Sequence, residues 1–198
     1  MRAPALLRTI AVAAAVCGLL VARPADAGKP KRYHIDLIEV TGVATLPPEA
    51  AGVLPLVEAE WRKVLAAHPQ LVTLAGAPDP SAAKPFKKWL TKKKIAGAFR
   101  MNVEVTAYEE ELDDKDVTVN QEKRLTVRLA LRTFGETIPD RVMAFAAEGS
   151  ATIKVDVGKK LRPADRAYAI KTAVEGAVAD AMTASLEKLA LPLPKPKK

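Results

Sequence analysis

The sequence predicts an α/β (α+β) domain: a mostly antiparallel sheet of four or five strands with helices packed mainly on one face. Three observations predict it. Residues 95–157 contain three runs in which apolar residues take the odd-numbered positions and polar residues the even-numbered ones. Apolar residues at helical spacing flank that stretch on both sides. The composition, 49% hydrophobic and 27% charged, is that of a globular chain, and the length suits one domain.

In chain order, residues 1–27 read as an export leader. Arg2 and Arg8 give a positive start, Thr9 to Ala22 is uncharged and mostly apolar, and Ala25-Asp26-Ala27 is an A-x-A cleavage pattern ahead of Gly28. The apolar run is shorter than the roughly 20 residues a membrane span requires. Cys17 raises lipoprotein processing as a further route, but Ala14-Ala15-Val16 fits a lipobox poorly. Cleavage between Ala27 and Gly28 removes this single cysteine, leaving no disulfide, thiolate nucleophile or cysteine metal ligand. It also removes Arg2, Arg8, Arg23 and Asp26, which lowers the formal net charge from +8 to +6. The expected organisation is a leader at 1–27, one domain at 28–190 and a Pro/Lys-rich flexible tail at 191–198.

Tyr33 to Val40 reads as a first strand, ended by Thr41-Gly42. Pro47-Pro48-Glu49 opens a helix, proline being tolerated in a first turn. Leu54, Val57, Trp61, Val64 and Leu65 recur at three and four, so one stripe faces inward; Pro55 is a candidate interruption, and His68-Pro69 ends the helix. Leu71 to Leu74 is a candidate short strand. Ser81 to Lys94 reads as a short helix carrying Phe86, Trp89 and Leu90.

The central runs follow. Phe99, Met101, Val103, Val105 and Ala107 make the first oily row; Leu125, Val127, Leu129 and Leu131 the second; Met143, Phe145 and Ala147, continuing through Gly149 and Ala151 to Val157, the third. Side chains on a strand alternate between faces, so each run has one oily and one wet face. A sheet with one wet face is usually antiparallel. The expected breaks are the acidic 109–122 segment and Phe134 to Asp140, which carries Gly, Pro and Asp as turn residues. Pro163-Ala164-Asp165 then starts the longest helix, with Ala167, Ile170, Val174, Val178, Ala181, Met182, Leu186 and Leu189 inward. Ala169, Ala173 and Ala177 form an edge able to lie close to a sheet.

This order of elements resembles the small α/β domains of exported bacterial envelope proteins of the CsgG curli-secretion, penicillin-binding-protein activator and TolB N-terminal types. The resemblance is carried by Lys94-Ile95-Ala96-Gly97-Ala98-Phe99, by the strand pair around Arg124–Arg132 and Phe145–Ile153, and by Ala173-Val174 to Ala181-Met182. It implies a binding or assembly accessory and not an enzyme.

The inventory of reactive groups is thin. Two histidines, His34 and His68, and three serines, Ser81, Ser150 and Ser185, lie after the leader, with no G-x-S-x-G elbow, H-E-x-x-H, Walker A or G-x-G-x-x-G pattern. No catalytic residue, cofactor or metal site is assigned. His34 and Asp36 share a strand face and read as solvated polar residues. Glu109, Glu110, Glu111, Asp113, Asp114 and Asp116 offer oxygen ligands for calcium but lack EF-hand spacing, and read as a hairpin tip kept unpaired by charge. The strongest candidate site is the basic cluster Lys84, Lys87, Lys88, Lys92, Lys93 and Lys94 around Trp89. Lysines about an apolar helix side suit an anionic lipid or glycan surface, or an acidic patch on an envelope protein. Nucleic acid would meet the same charge, but export argues against it. The leading expectation is an exported, non-enzymatic accessory or binding protein of the bacterial envelope, periplasmic or extracellular, without a transmembrane span once the leader is gone. The alternatives are a hydrolase with an unrecognised site and a self-assembling structural subunit.

Overall fold

The computed structural model describes residues 30–114, 123–158 and 160–191. The leader with Cys17 and the Ala27–Gly28 cleavage point, Asp116, and the tail beyond Leu191 lie outside the described residues.

Four strands form one sheet in the order β1 (Arg32–Gly42), β2 (Ile95–Asp114), β3 (Lys123–Thr137), β4 (Met143–Val157). β2, β3 and β4 make an antiparallel meander, and β1 adds to it parallel to β2, Arg32 lying opposite Ile95. A parallel pair needs a long crossover; here it contains a 3-10 turn (Pro48–Gly52), α1 (Leu54–Ala67) and α2 (Ala83–Lys92). α3 (Pro163–Ala190) closes the chain.

The odd-numbered rows are the buried face except at Met143, which is 55% exposed beyond the register shift between Gly135 and Glu136. Ile35, Leu37, Met101, Val103, Val105, Leu125, Val127, Leu129 and Leu131 are buried together with Val57 and Trp61 of α1 and the inner face of α3. Stacking a sheet against helices removes both oily faces from water, which is the main gain available to a chain without disulfides. Pro55 sits in the first turn of α1 and does not interrupt it; the preceding prolines belong to the separate 3-10 turn. The alanine edge of α3 does lie close. A Cβ placed on Gly149 of β4 falls 2.2 Å from the backbone nitrogen of Ala181 and 2.6 Å from the Ala177 carbonyl oxygen, so the helix touches the strand backbone to backbone there. Beneath it the Thr133 hydroxyl lies 3.0 Å from the Ser185 hydroxyl, which in turn donates to the Ala181 carbonyl at 2.7 Å.

Four expectations are corrected. A bulge between Val105 and Ala107 shifts the phase of β2, so Ala107 leaves the oily row and Tyr108 takes the inward position opposite Leu129. The acidic break is shorter than 109–122: β2 runs on through Asp114, with Glu109, Glu111 and Asp113 opposite Arg128, Thr126 and Arg124, and positions 115–122 of the expected break lie outside the described residues. Cross-strand charge pairs make strand acceptable to residues that disfavour it singly. Likewise β3 continues through Phe134 to Thr137, and the turn is confined to 138–142. Leu71 to Leu74 forms no strand; Leu71 makes an isolated bridge to Tyr33.

α1 and α3 cover the same face. α2 lies on the other, at the start of β2, where Phe86 and Leu90 pack with Ile95 and Ala98. Ala98 neighbours Phe99 on the strand and therefore points the opposite way. The rest of that second face is a grid of charges: Arg124 pairs with Asp156, Arg128 with Glu109 and Glu111, and Arg132 with Glu148.

Candidate functional site

β1 stops at Gly42, opposite Val105, while β2 continues to Asp114. Beyond Val105 the β2–β3 pair therefore has no β1 neighbour, and α3 reaches over its inner face, where Arg166 holds Glu110. At 28 residues α3 is about 42 Å long, twice the length of the 14-residue α1. The two helices are bridged by Lys63 and Glu175 at 3.9 Å. Beside the N-terminal half of α3 they leave an open groove of about 760 Å³.

The groove walls are apolar: Leu56 and Ala59 from α1, and Leu161, Pro163, Ala167, Ile170 and Val174 from α3 and the turn before it. Its rim carries Glu60, Lys63, Arg162, Arg166, Lys171 and Glu175. These charges are largely satisfied by one another or by neighbours. Lys63 reaches Glu60 at 2.9 Å, Arg162 reaches Asp165 at 2.8 Å, and Arg166 donates from Nε and one terminal nitrogen to the two carboxylate oxygens of Glu110 of β2 at 2.6 and 2.5 Å. The Tyr108 hydroxyl also donates to Glu110. The Arg166 hydrogen bond holds the Glu110 carboxyl below its ordinary range, while burial pushes the Tyr108 phenol up. Electrostatics at the rim thus fix the two helices and the hairpin in place; what the groove offers a partner is shape and apolar surface.

Sequence reasoning missed this groove. Leu56 and Ala59 fall off the buried stripe of α1, and Ala167, expected to face the sheet, is exposed and lines the groove. The signal available was the position of Leu56, an exposed leucine one step outside the stripe.

The basic cluster forms on α2 and its exit. Lys84, Lys87, Lys88, Lys92, Lys93 and Lys94 are all exposed, and Trp89 is half-buried with the Lys93 ammonium 5.9 Å from its ring centroid. Lys87 is committed to Asp140 at 2.7 Å. The acidic run, in contrast, is dispersed. Glu109 and Glu111 point to the open face and Glu110 to the inner face, as strand alternation requires. His34 Nδ1 contacts the Val72 carbonyl at 2.8 Å, and His68 Nδ1 accepts the Gln70 amide at 3.3 Å. Asp36 is exposed. Among the described residues no three His, Cys, Asp or Glu side chains group closely enough to hold a metal ion. At the free edge of β4, Asp180 accepts the Ser150 amide at 2.9 Å, so a carboxylate stands where an added strand would pair. Among the described residues no helix is long and apolar enough to cross a membrane.

No protein-family model matches the sequence, and no curated protein matches it. Solved structures give distant likenesses. A Helicobacter pylori protein described as a neuraminyllactose-binding hemagglutinin homolog is 11% identical, with a TM-score of 0.43 over 84% of this chain and 89% of that one. A minor lipoprotein from Acinetobacter baumannii is 9% identical, with a TM-score of 0.36 over 84% and 98%. Rare lipoprotein B from Shewanella oneidensis is 9% identical, with a TM-score of 0.32 over 76% and 91%. At TM-scores below 0.5 these likenesses carry no conclusion about function, and they do not single out the CsgG, penicillin-binding-protein activator or TolB types.

Proposed function

We propose that this chain is an exported, non-enzymatic accessory protein of a bacterial envelope that binds the apolar face of a partner helix in the groove between α1 and α3. The observation that carries the reading is the groove itself: about 760 Å³, walled by Leu56, Ala59, Ala167, Ile170 and Val174, and open to solvent. Two helices with a gap between them present ridges into which a third amphipathic helix packs. The rim charges are already paired, so apolar fit selects the partner and the rim excludes water.

Export rests on the leader pattern of residues 1–27. The non-enzymatic part is supported by where the few reactive groups go. Both histidines bond to backbone groups, Ser185 is buried against Thr133, and Ser81 and Ser150 lie apart from either histidine's bonds.

The test is site-specific photo-crosslinking in the native host, with the probe at Ala59 or Ala167 and a control at Lys154 on the open face. The expected result is a discrete adduct from the groove positions that Leu56→Glu abolishes. Adducts of the same pattern from all three positions, or none from the groove, remove the reading.

A further inference from the structure

One end of the sheet gathers features that the groove does not use. β1 and β2 both start there, Arg32 opposite Ile95. α2 packs on that end through Ile95 and Ala98. The β3–β4 turn is tied to it by the Ile138 amide, which donates to the Ala98 carbonyl at 2.8 Å, and by the Lys87–Asp140 pair. The C-terminal end of α3 arrives at the same place, since the Tyr33 hydroxyl donates to the Leu189 carbonyl at 3.0 Å.

That end is strongly cationic. Lys31, Lys84, Lys88, Lys92, Lys93 and Lys94 are exposed, and among the described residues none of these six has a carboxylate partner. The arginines of β3 and the groove-rim bases Lys63, Arg162 and Arg166, in contrast, are paired with acids. The same end also exposes apolar side chains. Val142 and Met143 are 60% and 55% exposed, and Trp89 stands half-open beneath Lys93. The chain leaves the described structure here on both sides. Before Pro30 it carries Lys29; after Leu191 it carries Lys195, Lys197 and Lys198.

We infer that this end is a docking face for an anionic lipid bilayer. The reasons are complementary charge, apolar residues placed among the lysines, and the position at which the lysine-bearing outer segments of the chain depart. Lysines near such a surface attract it through the interfacial field, roughly fivefold in partition for each one. Val142, Met143 and Trp89 supply the shallow apolar contact that interfacial binders use. The groove faces elsewhere. Arg166 on its rim holds Glu110, which is 12 residues along β2 from Ala98, about 40 Å at 3.3 Å per residue. A chain docked in this way holds its groove clear of the lipid.

The test uses the chain from Gly28 onward, which contains the complete sheet and all three helices described above. It is sedimented with vesicles of phosphatidylcholine alone and with vesicles that are one quarter phosphatidylglycerol. The expected result is binding to the anionic vesicles that is lost when salt is raised to about 1 M, where the Debye length falls to about 3 Å. The variant with Lys84, Lys88, Lys92, Lys93 and Lys94 all changed to Gln loses more than about tenfold in partition. Brominated lipid quenches Trp89 but not the buried Trp61, and the quenching disappears in Trp89→Phe; this reading uses native lysines and stands if the five-fold variant folds poorly. Equal binding to neutral vesicles, equal partition of the variant, or binding to an anionic polysaccharide without binding to vesicles overturns the proposal. Ala167→Glu, which blocks the groove, leaves vesicle binding unchanged, so the two readings fail separately.

Discussion

Arg166 closes on both carboxylate oxygens of Glu110 with Nε and one terminal nitrogen of its guanidinium, joining the first turns of α3 to a strand position 56 residues earlier in the chain. The pair sits where β1 has ended, and it is what fastens the free part of the β2–β3 hairpin to the helix layer. It also sets the wall of the groove, because Arg166 lines it.

Glu110→Gln therefore lowers the thermal midpoint at neutral pH. Glu110 is held below its ordinary carboxylate range chiefly by the Arg166 hydrogen bond. A carboxyl with a depressed folded pKa contributes stability above its unfolded value of about 4.3 and loses it as pH falls through the folded value. The Arg166 side of the pair is open to solvent, so the expected loss at pH 7 is about 1 kcal/mol, or about 2–4 °C. The gap between wild type and variant closes as pH drops below about 4. Melting curves at pH 7 and pH 3 that show the same gap contradict this.

Gly149→Ala forces α3 off β4. The added methyl meets helix backbone, which no side-chain rotation can relieve. The expected cost is about 1–3 kcal/mol by denaturant titration. Gly52→Ala is the matched control: a Cβ there has nothing within 4 Å, and the change is neutral or slightly stabilising. Equal midpoints for the two variants refute the close contact.

Thr133 and Ser185 pin α3 to β3 with buried hydroxyls 3.0 Å apart. A double-mutant cycle with Thr133→Val and Ser185→Ala gives a coupling of about 0.5–1.5 kcal/mol. Additive effects mean the hydroxyls act separately, Thr133 through the Ala147 carbonyl and Ser185 through the Ala181 carbonyl.

Leu56→Glu separates recognition from stability. Leu56 is 47% exposed in the groove, so the change shifts unfolding by no more than about 0.5 kcal/mol while removing the partner adduct. A drop in midpoint comparable to that of a core leucine would show that Leu56 serves packing instead.

The sheet was legible because one face is covered. Leu125, Val127, Leu129 and Leu131 must all point inward, and an alternation of that length has no other reading. The phase change at Ala107 was not legible, since a bulge costs one residue and leaves no composition mark; Tyr108 is its sole trace. The acidic strand end looked like a loop because its partners, Arg124 and Arg128, belong to another run, and pairing across strands is a tertiary fact. The lysine cluster was visible as a cluster. Its place on the face opposite α1 and α3 was not, because it depends on Ala98 and not Phe99 being the residue that α2 meets. The groove escaped for a similar reason: it is bounded by residues outside each helix's stripe, and spacing describes only what a helix buries.

The parallel seat of β1 has a consequence for delivery of the chain. Its first paired residue, Arg32, waits for Ile95, and Tyr33 is tied as far away as Leu189. Contacts between such distant points must close long loops before they stabilise the fold. Under the export proposed above, a polypeptide threaded outward from its amino end stays pliable until nearly the whole of it has passed through, and the last helix to emerge is the one that latches the first strand.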